Sequence, residues 1–232
     1  MVYYFQDCVE RNREKVYGLI ASHGDKANLV KLTSLNKDYE KVIRHHLYKG
    51  DYREALAVLK SQDKKELFYE FAPALMQAVP QHTVSALITQ GRALKPVNLL
   101  PALIACDLRD PKAVDEAIHY LEFAVHSLHA NDRSIHNYLL MLYAKFQPNR
   151  LKQYLATEGE DVSSVHYDPH YALRLCREHK LNEACVQLSA LLGLWESAVD
   201  LALTENIKLA KEIADQPQYD PELQRKLWLK IG

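Results

Sequence analysis

The sequence predicts an all-α protein, specifically an α-solenoid of stacked antiparallel helix pairs, and three observations carry that reading. The 232 residues include 35 Leu and 24 Ala against only 7 Gly and 9 Pro. That balance favours helix, because sheets need more turns and more β-branched residues. Apolar residues recur at three- and four-residue spacing along nearly the whole chain, which is the spacing of one helix face. A short anchor also recurs at helix starts, a turn followed by an aromatic or apolar residue and then Glu and Ala.

Taken in order, the pattern places helices near 3–22, 25–34, 37–48, 51–60, 63–70, 73–78, 81–91 and 97–106. Further helices follow near 111–129, 132–146, 149–157, 169–179, 181–191, 194–203, 206–214 and 221–231. In 51–60 the apolar face is Ala55, Leu56, Val58 and Leu59. In 111–129 it is Ala113, Ala117, Leu121, Ala124 and Leu128, and in 132–146 it is Ile135, Leu139, Leu142 and Phe146. Three helices open on the same device, Asp110-Pro111, Asp168-Pro169 and Asp220-Pro221. There the aspartate can cap the free N–H groups, and proline occupies the first position, where no N–H is needed. Gly24, Gly50, Gly91, Gly159 and Gly193 fall near predicted helix ends.

The anchor reads Gly50-Asp51-Tyr52-Arg53-Glu54-Ala55, then Val114-Asp115-Glu116-Ala117, Leu181-Asn182-Glu183-Ala184 and Leu194-Trp195-Glu196-Ser197-Ala198. A small alanine lets the next helix approach closely, while the larger residue before it fills the gap between neighbours. Ala184 and Ala198 are 14 residues apart, one helix plus a turn, so successive helices pack antiparallel. Val42 to Ala55, with Asp38 to Lys41 as a degenerate copy of the anchor, repeats the offset at 13. Such pairs cannot bury both faces alone and therefore stack.

Composition also excludes function classes. With 29 Lys+Arg against 30 Asp+Glu, the net charge of −1 gives no bulk attraction to nucleic acid or anionic lipid. No stretch approaches the roughly 18–20 consecutive apolar residues that span a bilayer. Met1 to Phe5 runs into Gln6 and Asp7 without the basic and apolar regions of a signal peptide. Cys8, Cys106, Cys176 and Cys185 show no CxxC spacing and read as reduced thiols of a cytosolic protein. No phosphate-cradling glycine loop, GxSxG elbow or HExxH helix is present, so no catalytic residue is assigned and the chain is read as a non-enzyme without cofactor.

His166, His170, Cys176, His179 and Cys185 have plausible zinc spacing. Cys176, however, shares an apolar stripe with Ala172, Leu173 and Leu175, and Cys185 follows the Ala184 anchor. Both are therefore expected in the core, and no metal is assigned to these five residues. The histidine pairs His45-His46 and His126/His129 and the lysines Lys60, Lys64 and Lys65 beside Asp63 and Glu66 read as solvated helix surface. The last helix carries Leu223, Leu227, Trp228 and Ile231 as an apolar stripe. With nothing after Gly232 to cover it, this stripe is the one candidate partner-binding surface, at the cut end of a longer array.

Short helix pairs with Glu-Ala anchors resemble the clathrin heavy-chain repeat of coat and vesicle-tethering proteins. Ordered blocks make the resemblance narrower. Ile20 to Asp25, Asp51 to Leu59, Ala117 to Phe123 and Ile135 to Leu140 are similar to the vacuolar protein sorting-associated protein 18 family. So are Val165 to Asp168, Tyr171 to Cys176, Ala198 to Leu203 and Lys226 to Ile231. The resemblance implies a non-catalytic scaffold in a core subunit of the HOPS and CORVET tethering complexes, acting in endosome–lysosome and autophagosome–lysosome docking and fusion. It implies sibling subunits as partners, Rab GTPases and SNAREs through the assembled complex, and a peripheral position on the cytosolic face of late endosomes and lysosomes. The family carries an amino-terminal β-propeller and a carboxyl-terminal zinc-binding RING-like domain. Residues 1–232 show no run of strands and no CxxC pair, so they are expected to be a single solenoid segment between those two domains. The rival expectations are an all-α enzyme or regulatory domain with a polar pocket, and a membrane-binding solenoid in the manner of coat proteins.

Overall fold

A computed structural model describes residues 39–62, 64–159 and 161–232. The predicted helices near 3–22 and 25–34, the start of 37–48, Gly24, Cys8, Asp63 and the block Ile20 to Asp25 lie outside the described residues. Of the described residues 77% are helical and none is in a strand. The chain divides into two compact units, Met1–Ala117 and Ile118–Gly232.

In the first unit α1 (Tyr39–Lys49) packs on α2 (Tyr52–Lys60), which touches both α3 (Lys65–Ala78) and α4 (Pro80–Gln90). Helix α3 packs in turn on α4 and on the short α5 (Leu100–Ile104). The turn between α1 and α2 needs Gly50, whose φ of +79° lets the Asp51 N–H reach back to the His46 carbonyl at 2.9 Å. The two helices expected at 63–70 and 73–78 are one. Pro73 sits inside α3 and removes the N–H that would bond the Tyr69 carbonyl, at a cost of about 3 kcal/mol or more. Buried Leu67, Phe68 and Phe71 before it, and Leu75 and Met76 after it, form one apolar face. Each contributes roughly 1.5–3 kcal/mol, so burial outweighs the break. The helix expected at 97–106 is shorter than its pattern. Pro101 has no N–H to give the Val97 carbonyl, so Pro96–Leu99 closes as a 3-10 turn ahead of α5.

Helix α6 (Pro111–His126) contains the division between the units. In the second unit follow α7 (Arg133–Phe146), α8 (Pro148–Glu158), α9 (Pro169–Glu178), α10 (Asn182–Leu191), α11 (Trp195–Glu205), α12 (Ile207–Ala214) and α13 (Pro221–Ile231). Helix α7 packs on α8 and α9, α8 on α10, and α9 on α10; α10 packs on α11, and α11 on both α12 and α13. Within each unit, the described helices pack on neighbours and next-but-one neighbours. The anchor alanines are buried: Ala55, Ala117, Ala184 and Ala198 are at most 1% exposed. All three Asp-Pro devices cap their helices. Asp110 accepts the Lys112 N–H, Asp168 accepts from His170 and Tyr171, and Asp220 accepts from Leu223, each at 3.0–3.1 Å.

Candidate functional site

The stripe on α13 divides between two environments. Leu227 is fully buried in a cluster with Val199, Ala202, Ala210, Ile213 and Ala214, and Leu223 and Ile231 pack partly against it. Burial of Leu227 alone is worth roughly 1.5–3 kcal/mol, enough to turn this face of the helix inward. The expectation of an uncovered stripe is therefore corrected for Leu227, which α11 and α12 cover. Trp228 lies at the edge of this face, 37% exposed, with its indole N–H on the Asp215 carboxylate at 3.0 Å. Its neighbour Leu229 is the more exposed apolar residue at 75%, and the helical stripe had passed over it. Lys226 and Lys230 pair with Glu196 and Asp200 at 2.7 and 2.9 Å, setting the orientation of α13 on α11.

The five zinc-spaced residues go different ways. Cys176 and Cys185 are buried on α9 and α10. Burial pushes the Cys176 thiol up to about 12 and raises that of Cys185, so both stay neutral, as core residues would. His170 is exposed in the first turn of α9, and His179 is half-buried at its end. His166 alone joins a polar cluster, and its partners there are His136 and Glu158.

That cluster is built from α7, α8 and the connection between α8 and α9. On α7, His136, Leu140 and Tyr143 form a second buried face beside the Ile135, Leu139 and Leu142 stripe. On α8, Leu151, Tyr154, Leu155 and Glu158 line up at helical spacing toward it. Glu158 ends α8, where a carboxylate meets the negative end of the helix dipole and needs donors. His166 supplies two of them, its backbone N–H at 3.2 Å and its Nδ1–H at 3.0 Å. The chain can return for this because Gly159 adopts a φ of +109°. Asn137, next to His136, accepts the Asp168 N–H at 2.9 Å and so holds the end of the returning segment.

His136 has a fixed tautomer. Its Nε2–H donates to the Ala130 carbonyl at 2.8 Å, leaving the Nδ1 lone pair to accept the Tyr154 hydroxyl. The Ala130 carbonyl is presented by a turn in which His129 takes a φ of +56°. Burial lowers the His136 pKa, and the neutral ring that results stacks on His166 at 5.1 Å. Burial, reinforced by the Glu158 charge, raises the Tyr154 phenol. Beside them Tyr143 and Arg150 both donate to the Glu122 carboxylate at 2.5 Å. A groove of about 550 Å³ opens over this cluster, lined also by His126, His129 and Gln153.

One donor atom from each of His136, Glu158 and His166 falls within 4.8 Å of the others, the one such metal-capable group among the described residues. Linear spacing could not have shown it, because the three come from α7, the end of α8 and the connection to α9. The one available signal was a histidine on the buried face of α7, in register with Leu140 and Tyr143.

The chain matches the family model described as VPS18, alpha-solenoid domain, second half, over residues 39–232. It is 47% identical over 228 residues to the vacuolar protein sorting-associated protein 18 homolog of Danio rerio, covering 98% of this chain and 23% of that protein. Identity to the Drosophila melanogaster homolog is 43% over 97% of this chain and 22% of the relative. The vacuolar membrane protein pep3 of Schizosaccharomyces pombe is 30% identical over 96% of this chain and 25% of its own length. The chain thus spans about a quarter of the length of the curated relatives it matches.

Proposed function

Starting from a chain that belongs to the VPS18 family, over the second half of that family's α-solenoid domain, we propose that it is a non-catalytic scaffold segment of a vesicle-tethering subunit. Vacuolar protein sorting is what the names of the Danio rerio and Drosophila melanogaster homologs carry. The finer reading places the segment in HOPS and CORVET, where it holds contacts at fixed spacing for endosome–lysosome and autophagosome–lysosome docking and fusion. Residues 1–232 act as one stretch of a longer helical array. Sibling subunits are its direct partners, and Rab GTPases and SNAREs are met through the assembled complex. The subunit works peripherally on the cytosolic face of late endosomes and lysosomes, and among the described residues no helix is long and apolar enough to cross a membrane.

The observation that carries this reading is the family match over residues 39–232. The helix packing supports it: cores form between neighbouring helices, so the outward faces are available for protein contacts along the segment. A pull-down of the chain against each sibling subunit tests it, followed by charge reversals on whichever face binds. The expected result is retention of at least one sibling, lost on reversal. A chain that retains none of them under conditions where the full-length subunit does contradicts the proposal.

A further inference from the structure

We propose that His136, Glu158 and His166 form a binding site for a divalent transition metal, with Zn2+ as the fitting ion. The site would clip the connection between α8 and α9 onto α7. Three features of the geometry carry the inference. The donor atoms already converge. His136 Nδ1 lies 3.9 Å from one Glu158 oxygen, and His166 Nδ1 lies 3.0 Å from the other. Ligands around a tetrahedral Zn2+, each about 2.0–2.2 Å from the ion, stand roughly 3.3–3.5 Å apart. The observed separations bracket that value.

The second feature is the partner of His136. A metal-bound histidine holds its other ring N–H on a carbonyl or carboxylate, which fixes the tautomer and aims the free lone pair at the ion. His136 already has that arrangement, with Nε2–H on the Ala130 carbonyl at 2.8 Å and Nδ1 directed into the cluster. The third is the chemistry of the set. Two imidazoles and a carboxylate form a donor group suited to Zn2+, and a fourth position is open to water or to the Tyr154 oxygen. The groove above the cluster supplies an entry path.

Proton accounting is simple. Binding needs the Nδ1 lone pair of His166, so its proton moves from Nδ1 to Nε2, the ring stays neutral, and the hydrogen bond to Glu158 is given up. The Tyr154 hydroxyl, whose single proton now rests on His136 Nδ1, gives up that bond and turns to the Glu158 carboxylate beside it. The ion then replaces the His166–Glu158 and Tyr154–His136 hydrogen bonds with three coordinate bonds spanning α7, α8 and the returning segment, and no proton leaves the chain.

The test is a titration of the metal-stripped chain with ZnCl2 by calorimetry, and with CoCl2 to read coordination from visible absorption. The expected result is one ion per chain and a tetrahedral Co2+ spectrum, with a rise in the thermal midpoint on adding Zn2+. His166→Ala and Glu158→Gln should each weaken Zn2+ by at least about 100-fold, beyond the ~10–100-fold typical of an outer-shell partner. Both positions are less buried than His136, and circular dichroism confirms that the variants keep their helices. His170→Ala and Cys176→Ser should bind as the parent does. No stoichiometric Zn2+ in the parent, or undiminished binding in the folded His166→Ala and Glu158→Gln variants, overturns the site.

Discussion

Asn137 accepts the backbone N–H of Asp168 at 2.9 Å, and Asp168 in turn caps α9 by accepting the N–H groups of His170 and Tyr171. One residue thereby ends the segment returning from α8 and starts the next helix. Asp168→Ala removes the cap and should cost about 0.5–2 kcal/mol. Urea denaturation gives the measurement, and an unchanged midpoint would mean that water replaces the carboxylate without loss.

Ala184 is 1% exposed, and α10, which carries it, packs on α8, α9 and α11. Ala184→Leu inserts three extra carbons into that contact and should cost about 1–3 kcal/mol through overpacking. If denaturation shows no loss, the alanine does not set the approach distance between the helices.

Leu227 and Trp228 are adjacent on α13, about 100° apart around it, and only Leu227 is fully buried. Leu227→Ala empties a fully buried position and should cost about 2–5 kcal/mol. Trp228→Ala removes a side chain already 37% exposed and should cost less. The reverse order of the two denaturation midpoints would place Trp228, not Leu227, in the terminal cluster.

The helices were legible in the sequence because their signals are local: caps at Asp110, Asp168 and Asp220, turn glycines such as Gly50 and Gly193, and apolar spacing. The anchor alanines were legible for the same reason, since each marks its own helix start. What local signals misjudged was any choice decided by packing. Pro73 reads as a break until the apolar face on both sides of it is seen to be continuous. Leu227 reads as exposed until α11 and α12 fold over it. The His136, Glu158 and His166 cluster was out of reach altogether, because its three donors meet only after α8 ends and the chain turns back at Gly159.

Stability should fall at alkaline pH. Burial raises the Cys106 thiol to about 11 and the Cys176 thiol to about 12, from an ordinary 9.0. Burial raises the Tyr143 and Tyr167 phenols in the same direction. These groups ionise more readily in the unfolded chain. The stability they contribute is therefore complete below about pH 9 and is lost as pH rises through the folded values. The urea midpoint should drop between about pH 9 and pH 12, and Cys176→Ala should flatten the decline. A midpoint that rises over this range, or the same slope in the variant, would assign the pH dependence to other groups.

Hydrogen exchange read by mass spectrometry, on the chain alone and with each sibling tethering subunit, tests the scaffold reading most directly. The account predicts slowed exchange over a contiguous set of outward helix turns within residues 39–232, with at least one sibling. Exchange left unchanged by every sibling, at concentrations where the full-length subunit binds them, would contradict it.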